Sequence, residues 1–531
     1  MSLYLLLERE GVTRPVHNRF KNLAWIILAA GLGLALYGSL QFSGHPVTEG
    51  ASAAGAGAAG QASGQSLAPG SSGDISGENP AGLSTSAPDE ETGATSDSLS
   101  GSSSESVSAS ASGEELAEGA ASGKDPVLNI FCWNNELREL MKACYPAYEE
   151  RGEDSGAIGE TEVRWISVQQ DENAYYKELK ASLEENTSVP AGERIDLFLV
   201  GPGEAKEMAV SGAAIPLDRL GIRGEELADQ FDYARDIITD AEGRQCGSSW
   251  QSCPGVMIYR RDIAERVLGS ADPDEVQKAV SNWENFAATA KKMKEAGIRM
   301  TATVYDTFRP AMGGAASGWV NDSGIDANAT AKAWAESAKE NLKDGLAGAG
   351  EMWGESWYAG LYTEGDIFCY FGPEWMIRND MNAAGERAVS STGGWAVCEG
   401  PQSFFWSGVW ICAAEGSDDT ELAADVIRTL TTDAELLTRL VREHGECVNS
   451  RTAMELAGRN RNLKSDVLGG QNPFPVYLAS AEKAVAPTGP YDEICAESFQ
   501  SAMMLYFEEI LSYDEAVSTF RDLARESIEQ L

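Results

Sequence analysis

The sequence predicts an α/β protein with more than one globular unit, and three observations support this prediction. The chain has 531 residues, which is more than one hydrophobic core usually organises. After Lys124, short apolar runs alternate with longer stretches of helical periodicity. Residues 43–123 lack the aromatic and branched residues that a folded core needs. We therefore expect the folded part to begin near residue 125.

The first predicted element is a membrane-spanning helix at residues 22–42. This segment carries no charge and has the roughly 20 apolar residues that a helix needs to cross a bilayer. Four basic residues precede it and none follows it before Lys124, so residues 1–21 should be a short cytoplasmic segment. We expect a single-pass protein of the cell membrane, with the rest of the chain on the extracytoplasmic face. A cleaved signal peptide remains an alternative, because "LYGS" resembles a small-residue cleavage site.

Residues 43–124 are predicted to be a disordered linker. They consist mainly of Gly, Ser and Ala with scattered acidic residues. Such a composition buries too little apolar surface to offset the loss of chain entropy on folding. We expect this linker to tether the folded part to the membrane.

The charge of the chain argues against a nucleic-acid partner. It contains 82 acidic and 41 basic residues, which gives a formal net charge of −41 at pH 7. A negative field of this size repels phosphate backbones. Solubility alone can account for most of these acidic residues.

Histidine and cysteine are distributed in ways that exclude several kinds of site. His444 is the only histidine after the linker, which removes His-based catalytic triads and His-rich metal sites, and we expect no metal and no cofactor. The nine cysteines form no C-x-x-C motif, and most should be packed as small apolar residues. A bond between Cys246 and Cys253 is possible, but the cysteine pairing stays open.

The folded part begins with three predicted strands. They lie at residues 127–131, 162–169 and 195–200, and helical segments separate them. This alternation predicts parallel β-α-β units with helices on both faces of a sheet. Later segments are more helical. Asp433 is placed to cap a helix that Gly445 ends, and the last helix has an apolar stripe that begins at Val517.

The segments after the three strands indicate a ligand site, because ligands of parallel sheets lie beyond the carboxyl ends of the strands. These segments are "CWNNE", "QQDENAYY" and "GPGE", which combine amides or carboxylates with an aromatic residue or a glycine. Amides and carboxylates can bind sugar hydroxyls, and flat rings can stack on sugar C–H faces. Twelve of the thirteen tryptophans follow the linker, which agrees with a sugar ligand.

An aromatic run, "QSFFWSGVWIC" at residues 402–412, poses a separate question. A buried strand is the default interpretation of such a run. If it is one continuous strand, Trp406, Gly408 and Trp410 share one face, and both indoles point the same way. We expect at least one of these indoles to face a cleft.

The order of several segments resembles the extracellular solute-binding proteins of carbohydrate ABC transporters, of the maltose-binding, family 1 type. The segments include "LNIFCWN", "IDLFLV" with "AIPLDRLGI", "PGVMIYRRDIAERVLG", "NWENFAATAKKMKEAGI", "YTEGDIFCYFGPEW" and "GVWICAAEGSDDTELAADVIRTLTTD". The resemblance covers nearly all of residues 125–531. Members of this kind are usually lipoproteins. The predicted membrane helix and linker depart from that pattern, which leaves the partner open.

The resemblance implies a two-lobed periplasmic-binding-protein type II fold with a hinge. The first lobe would comprise about 125–250 and 405–450, and the second about 255–400 and 451–531. A carbohydrate would bind in the cleft between the lobes and pass to the permease subunits of an ABC importer. We expect this carbohydrate to be an oligosaccharide. Such a protein is not an enzyme and has no catalytic residues.

Candidate ligand-binding residues come from the strand ends, from the aromatic run and from the resemblance, which assigns a stacking role to Trp375. The set is Trp133, Asn134, Glu136, Glu204, Trp250, Gln251, Asp306, Arg309, Trp375, Trp406, Trp410, Tyr491 and Asp492. Trp283, Trp334 and Trp357 are expected in the core, and Trp353 is placed where it could reach the cleft.

Three functional questions stay open at this point. A glycoside hydrolase also needs a cleft with tryptophans and carboxylates, although no motif singles out a catalytic pair. A membrane-tethered sugar sensor or adhesion module could use the same fold. The sugar, its length and its linkage cannot be read from the sequence, and acidic sugars, amino sugars and non-sugar ligands are not excluded.

Overall fold

The structure is a computed structural model that describes residues 126–169, 174–321, 324–383, 385–487 and 489–529. Its strands are β1 (Val127–Cys132), β2 (Tyr148–Gly152), β3 (Ser155–Ile158), β4 (Thr161–Ser167), β5 (Leu197–Val200), β6 (Pro254–Arg260), β7 (Arg299–Thr301), β8 (Val320–Asn321), β9 (Gly324–Ile325), β10 (Ile367–Gly372), β11 (Trp395–Cys398), β12 (Phe404–Phe405) and β13 (Trp410–Ala413).

The α-helices of the described residues follow in the same chain order. They are α1 (Glu136–Cys144), α2 (Ala174–Glu185), α3 (Pro202–Ser211), α4 (Asp232–Asp236), α5 (Arg261–Leu268), α6 (Pro273–Ala279), α7 (Trp283–Glu295), α8 (Phe308–Met312), α9 (Ala329–Asp344), α10 (Glu355–Ala359), α11 (Glu374–Asn379), α12 (Thr420–Thr432), α13 (Ala434–His444), α14 (Arg451–Arg459), α15 (Phe474–Ala481), α16 (Asp492–Phe507) and α17 (Tyr513–Glu529). Short 3-10 turns occur at Tyr305–Thr307 and Ser390–Thr392.

The first sheet has six strands in the order β13-β5-β1-β4-β3-β2. Strand β1 is parallel to both β4 and β5, which confirms the predicted β-α-β arrangement. Every residue of β1 is buried, so its sequence VLNIFC is almost continuously apolar, as expected for a central parallel strand. The antiparallel strands β2 and β3 extend one side of the sheet, and β13 pairs antiparallel with β5 on the other.

The second sheet has the order β11-β6-β10-β7, and β12 pairs with the start of β6. Strand β6 is antiparallel to β10, β11 and β12, whereas β10 is parallel to β7. All residues of β6 and β10 are buried, so the centre of this sheet is covered on both faces. A separate two-stranded hairpin is formed by β8 and β9.

The helical end of the chain forms a core of its own. Helices α16 and α17 pack on each other, and the rings of Phe499 and Phe520 meet edge to face at 5.5 Å. Trp334 of α9 lies 6.2 Å from Phe499. The predicted stripe of α17 is buried at Val517, Phe520 and Ala524 and half-buried at Ile528.

Helix α13 shows how local sequence determines an element. The carboxylate of Asp433 accepts hydrogen bonds from the backbone N–H groups of Glu435 and Leu436 at 2.9 Å. Gly445 ends the helix with a φ of +71°, a conformation that glycine adopts without steric cost. Both predicted boundaries are confirmed.

Two chain segments that connect the sheets run side by side. Ser248 and Ile411 exchange backbone hydrogen bonds of 2.8 and 3.0 Å, and the N–H of Trp406 donates to the Cys253 carbonyl at 3.1 Å. Because β12 pairs with β6 and β13 pairs with β5, the chain at residues 406–409 passes from the second sheet to the first.

A third segment lies against these two. The N–H of Asn449 donates to the Trp250 carbonyl at 2.7 Å, and the N–H of Ser252 donates to the Cys447 carbonyl at 2.8 Å. We call residues 248–253, 406–409 and 446–449 together the junction. The junction holds the two sheets next to each other in one compact unit.

The aromatic run is not one continuous strand. It forms β12 and β13 with a break between them, where Ser407 has a φ of +78° and Gly408 a φ of +126°. The expectation that Trp406 and Trp410 point the same way is therefore wrong. Two residues with positive φ interrupt the alternation of side chains that a continuous strand would impose.

The predicted membrane span at 22–42 and the predicted linker at 43–124 lie outside the described residues. Within the described residues, no helix has both the length and the apolar character needed to span a bilayer.

Candidate functional site

Acidic side chains occur where helices follow the strands of the two sheets. Glu136 begins α1 soon after β1, and Glu204 lies in the first turn of α3 after β5. In the second sheet, Glu374 begins α11 after β10. A carboxylate in the first turn of a helix is stabilised by the helix dipole. The two sheets therefore each present carboxylates at strand ends, as the sequence predicts for the first sheet.

Three half-buried tryptophans lie together and form what we call the tryptophan cluster: Trp353, Trp375 and Trp406. The ring centroid of Trp406 is 5.4 Å from that of Trp353 and 6.0 Å from that of Trp375, and both pairs are edge to face. The guanidinium of Arg309 lies 4.8 Å from the centroid of Trp406. Trp406 belongs to the junction, whereas Trp375 and Arg309 follow strands of the second sheet.

Trp375 has an indole N–H that finds no hydrogen-bond acceptor within the described part of the chain, although the nitrogen is buried. A buried indole N–H normally has a partner. The half-buried ring and its unsatisfied donor agree with a side chain that completes its contacts with a ligand.

A second group, which we call the carboxylate cluster, consists of Glu136, Glu374 and Glu446. The side-chain amide of Gln251 donates to Glu136 at 2.6 Å. Arg378 lies 4.0 Å from one oxygen of Glu374 and donates to the His444 carbonyl at 3.2 Å. The cluster thus combines a residue from each sheet with Glu446 of the junction.

Burial dominates the electrostatics of the carboxylate cluster. Burial raises the pKa of Glu136 and Glu374, and the Arg378 guanidinium lowers both in part. Burial also raises the pKa of Glu446 to about 7, and the Glu374 and Glu136 carboxylates add to that increase. Like charges disfavour each other's ionised form. These carboxyl groups therefore titrate at higher pH than exposed glutamates.

A further pair of acidic residues lies where α3 contacts α16. Glu493 forms an ion pair with Arg309, the arginine that also lies over Trp406. Burial raises the pKa of Glu204 to about 7, and the Glu493 carboxylate contributes to that shift. Arg309 thereby connects the tryptophan cluster to Glu493 of α16, and the Glu493 carboxylate acts in turn on Glu204, which follows a strand of the first sheet.

The structure places four of the predicted site residues in the core instead. Trp250 and Trp410 are each 1% exposed, and the Trp410 indole donates to the Ala234 carbonyl at 2.8 Å. Trp133 is buried edge-on against Tyr175 at 5.0 Å. Asp306 is 2% exposed. Its carboxylate accepts hydrogen bonds from Thr303 at 2.7 Å and from the Trp357 indole at 3.0 Å. These surroundings give all four residues structural roles.

Three other predicted residues, Asn134, Tyr491 and Asp492, are half-buried and make structural contacts. Asn134 accepts a hydrogen bond from the Glu136 N–H at 3.1 Å and so supports the start of α1. Tyr491 precedes α16 and packs on the helical core, and Asp492 accepts from the Gly489 N–H at 3.0 Å. The structure therefore brings together Glu136 with Gln251, and Arg309 with Trp375 and Trp406. Glu204 is linked to the second group through Glu493.

Five residues of the site were not in the predicted set: Trp353, Glu374, Arg378, Glu446 and Glu493. Glu374 directly precedes Trp375, and Glu446 directly follows the helix stop at Gly445. The position of Glu374 next to Trp375, a predicted ligand residue, could have been used to predict Glu374 as part of the site. The approach of Glu446 to Glu374 depends on the junction, which local sequence does not encode.

All nine cysteines lie in the described residues, and all are free and buried. The expectation that most pack as apolar residues is confirmed, and no bond joins Cys246 to Cys253. Within the described ranges, no group of His, Cys, Asp or Glu has the arrangement of a metal site.

Comparison with known families identifies the class of the protein. Residues 157–445 match the model of the bacterial extracellular solute-binding proteins, which is more than half of the chain. The chain belongs to this family. It is a solute-binding protein, not an enzyme, and the family operates outside the cytoplasm. No curated protein sequence matches the chain.

Solved structures support the same fold. A family 1 extracellular solute-binding protein matches with a TM-score of 0.62 at 17% identity, over 76% of this chain and 99% of that one. The sugar-binding protein MalE of Xanthomonas citri gives 0.56 at 13% identity, over 76% and 98%. The Bifidobacterium longum protein that binds galacto-N-biose and lacto-N-biose gives 0.53 at 15% identity, over 77% and 98%. At these identities the likeness establishes the fold alone.

Proposed function

We propose that the protein binds an oligosaccharide at the junction between its two sheets, outside the cytoplasm, and delivers it to an ABC importer. The observation that carries this proposal is the tryptophan cluster, which lies beside polar groups contributed by both sheets. Family membership supports solute binding, and the solved structures of the same fold include proteins whose names describe sugar binding.

Sugar recognition needs flat apolar surfaces and directional polar groups at the same place. Trp375 and Trp406 supply half-buried indoles for the C–H faces of a sugar ring. Gln251, Glu136 and Arg309 supply donors and acceptors for hydroxyl groups. A site with mostly aromatic walls and a few placed polar groups is the usual form of a small-molecule site.

Ligand binding would involve closure of the two lobes about the junction. Three chain segments cross there, and short connecting segments of this kind can act as a hinge in domain closure. Glu136 follows a strand of the first sheet, and Glu374 follows a strand of the second. A ligand that contacts both of these residues would favour the closed state over the open one.

The sequence supports an attachment to the membrane. The predicted helix at 22–42 and the predicted linker at 43–124 would hold the binding domain near permease subunits. A membrane-tethered sugar sensor is the second candidate, because the same anchor would serve that role equally well. Loss of sugar uptake on deletion of the gene would support the importer, and unchanged uptake would support the sensor.

A glycan screen tests the proposed function. The protein is heated in the presence of mono- to tetrasaccharides, and its melting temperature is compared with that of the free protein. A ligand at a hundredfold excess over its Kd stabilises the native state by about 2.7 kcal/mol, which gives a measurable shift. No shift with any saccharide would contradict sugar binding.

A further inference from the structure

The carboxylate cluster contains three acidic side chains, and their full ionisation would require more positive charge than their neighbours supply. The charged groups that act on Glu446 are the carboxylates of Glu374 and Glu136 and the guanidinium of Arg378. Arg378 is exposed, and it shares its hydrogen-bonding capacity with the His444 carbonyl. One solvated guanidinium therefore faces three carboxyl groups.

Glu374 is the member whose surroundings point to a ligand. The residue is only 9% exposed. Its carboxylate interacts with the backbone N–H groups at the start of α11 and with Arg378, but no described group donates a hydrogen bond to its Oε2 atom. An ionised carboxylate at such a depth requires donors, because burial without a partner costs more than the group gains. A buried Oε2 atom of Glu446 lacks a donor among the described residues as well.

The carboxylate cluster lies next to the tryptophan cluster. Glu374 and Trp375 are consecutive residues of α11. The N–H of Trp406 donates to the Cys253 carbonyl. The carboxylates of Glu374, Glu136 and Glu446 are close enough to the Cys253 thiol to contribute to its raised pKa. A ligand that stacks on Trp375 would therefore reach the carboxylates.

The tryptophan cluster also suits a cation. The face of an indole ring carries negative potential and attracts positively charged groups. Trp406 already makes one cation–π contact, since the guanidinium of Arg309 lies 4.8 Å from its ring centroid. Aromatic faces and buried carboxylate oxygens without donors together favour a ligand that has both a sugar ring and a positive charge.

We propose that the ligand is a carbohydrate that carries a protonated amine, which pairs with Glu374 and its neighbours Glu136 and Glu446 while the sugar ring stacks on Trp375. This inference rests on the proposed function and specifies its ligand class. A neutral sugar of the same shape would leave the buried carboxylate oxygens without a charged donor, so it should bind more weakly.

The test is a titration of the full-length protein with matched sugars. Mono- to tetrasaccharides of glucose, galactose and mannose are compared with their 2-amino and N-acetylamino counterparts, and spermidine is included as an amine without a sugar ring. Isothermal titration calorimetry at pH 7 gives each Kd, because the amine must be protonated and an amine beside electron-withdrawing oxygens titrates like an α-amino group, at about 7.7–8.0. The best amino sugar should bind at least about tenfold more tightly than its neutral and N-acetylated counterparts, as expected for one charge-assisted hydrogen bond.

Two variants connect this preference to the cluster. Glu374→Gln and, independently, Glu446→Gln remove a charge and keep the shape of the side chain, so each should reduce the preference for the amino sugar severalfold. Glu455→Gln is the matched control, because Glu455 is an exposed partner of Arg459 on α14. The control should keep the full preference. A melting curve for each variant confirms that it is folded.

The outcomes separate the two proposals. Equal or tighter binding of a neutral sugar would overturn the inference and leave sugar binding intact. A preference for amino sugars that survives in both folded glutamine variants would also overturn it. Binding of spermidine without binding of any saccharide, or no binding at all, would overturn the proposed function together with the inference.

Discussion

Trp375 and Trp410 have the same side chain in different surroundings, and their surroundings assign them different roles. Trp375 is half-buried, and its indole N–H has no acceptor among the described residues. Trp410 is 1% exposed, and its indole N–H is bonded to the Ala234 carbonyl. Exposure of the ring and an indole N–H without an acceptor therefore distinguish a candidate ligand contact from a core tryptophan.

Replacement of these two tryptophans by alanine should affect different properties, namely ligand affinity for Trp375 and stability for Trp410. Trp375→Ala should weaken sugar binding by about 1–3 kcal/mol, by analogy with base stacking on aromatic side chains. Trp410→Ala should leave a cavity and reduce the free energy of unfolding by about 3–5 kcal/mol. Calorimetric titration and urea denaturation of both variants measure the two quantities. A larger loss of stability in Trp375→Ala than in Trp410→Ala would contradict these roles.

The carboxyl group of Glu446 should make stability depend on pH. Burial raises its pKa from 4.5 to about 7 in the folded protein, and Glu374, Glu136 and Arg378 are the charged groups that act on it. Between these two values the folded state binds more protons than the unfolded state. This residue's contribution to the free energy of unfolding should therefore fall as the pH rises from about 4.5 to about 7.

The variant Glu446→Gln removes that contribution. Its free energy of unfolding, measured by urea denaturation at several pH values, should decline less steeply across this range than that of the unmodified protein. Glu455→Gln serves again as the exposed control and should keep the original slope. Parallel curves for Glu446→Gln and the unmodified protein would show that Glu446 is not buried as described.

At the scale of the elements, the segment 406–409 is the least regular part of the site. Ser407 and Gly408 both have positive φ, and a Cβ atom at Gly408 would lie 3.1 Å from the Trp410 ring. This geometry turns the chain between β12 and β13. It also separates Trp406, which contacts Arg309, from Trp410 in the core.

Substitutions in this segment should act in opposite directions. Ser407→Gly should relieve part of the roughly 1 kcal/mol that a non-glycine residue pays at positive φ. Gly408→Ala should destabilise the protein by about 1–3 kcal/mol, because its φ of +126° is nearly exclusive to glycine. Thermal denaturation of both variants tests this. A higher melting temperature for Gly408→Ala than for Ser407→Gly would be inconsistent with the described turn.

Elements with strong local signals were predicted well, and those that depend on distant contacts were not. The cap at Asp433 and the stop at Gly445 follow from backbone hydrogen-bonding needs that a few residues determine. The break at Ser407 had no local signal beyond one glycine. The burial of Trp250 depends on the junction, and that of Asp306 depends on Trp357, so neither follows from its own segment.

At the scale of the whole molecule, the order of segments was sufficient to predict the family and the α/β fold. The mixed order of the second sheet was not predicted, because it joins strands that lie far apart in the sequence. The lobe boundaries implied by the resemblance fall near the three segments of the junction, but the contacts between these segments were not predicted. The carboxylate cluster is a product of that junction. This explains why Glu136 was predicted and Glu446 was not.

The folded part should be independent of the first 124 residues. The linker sequence has few apolar side chains to contribute to a core. A protein that comprises residues 125–531 should therefore be soluble and cooperatively folded, with a melting temperature and a sugar affinity equal to those of the full chain. Circular dichroism and calorimetric titration compare the two proteins. An unfolded or aggregated product would contradict this domain boundary.

The rate at which buried cysteines are alkylated can report on motions of the protein. Burial raises the pKa of the Cys253 and Cys447 thiols well above the ordinary value, so a thiol reagent should modify them only when the junction opens. Both residues lie within the junction, whereas Cys495 lies in the helical core. Timed alkylation followed by peptide mass spectrometry would then measure the proposed opening of the junction at Cys253 and Cys447, with Cys495 as the reference for global unfolding.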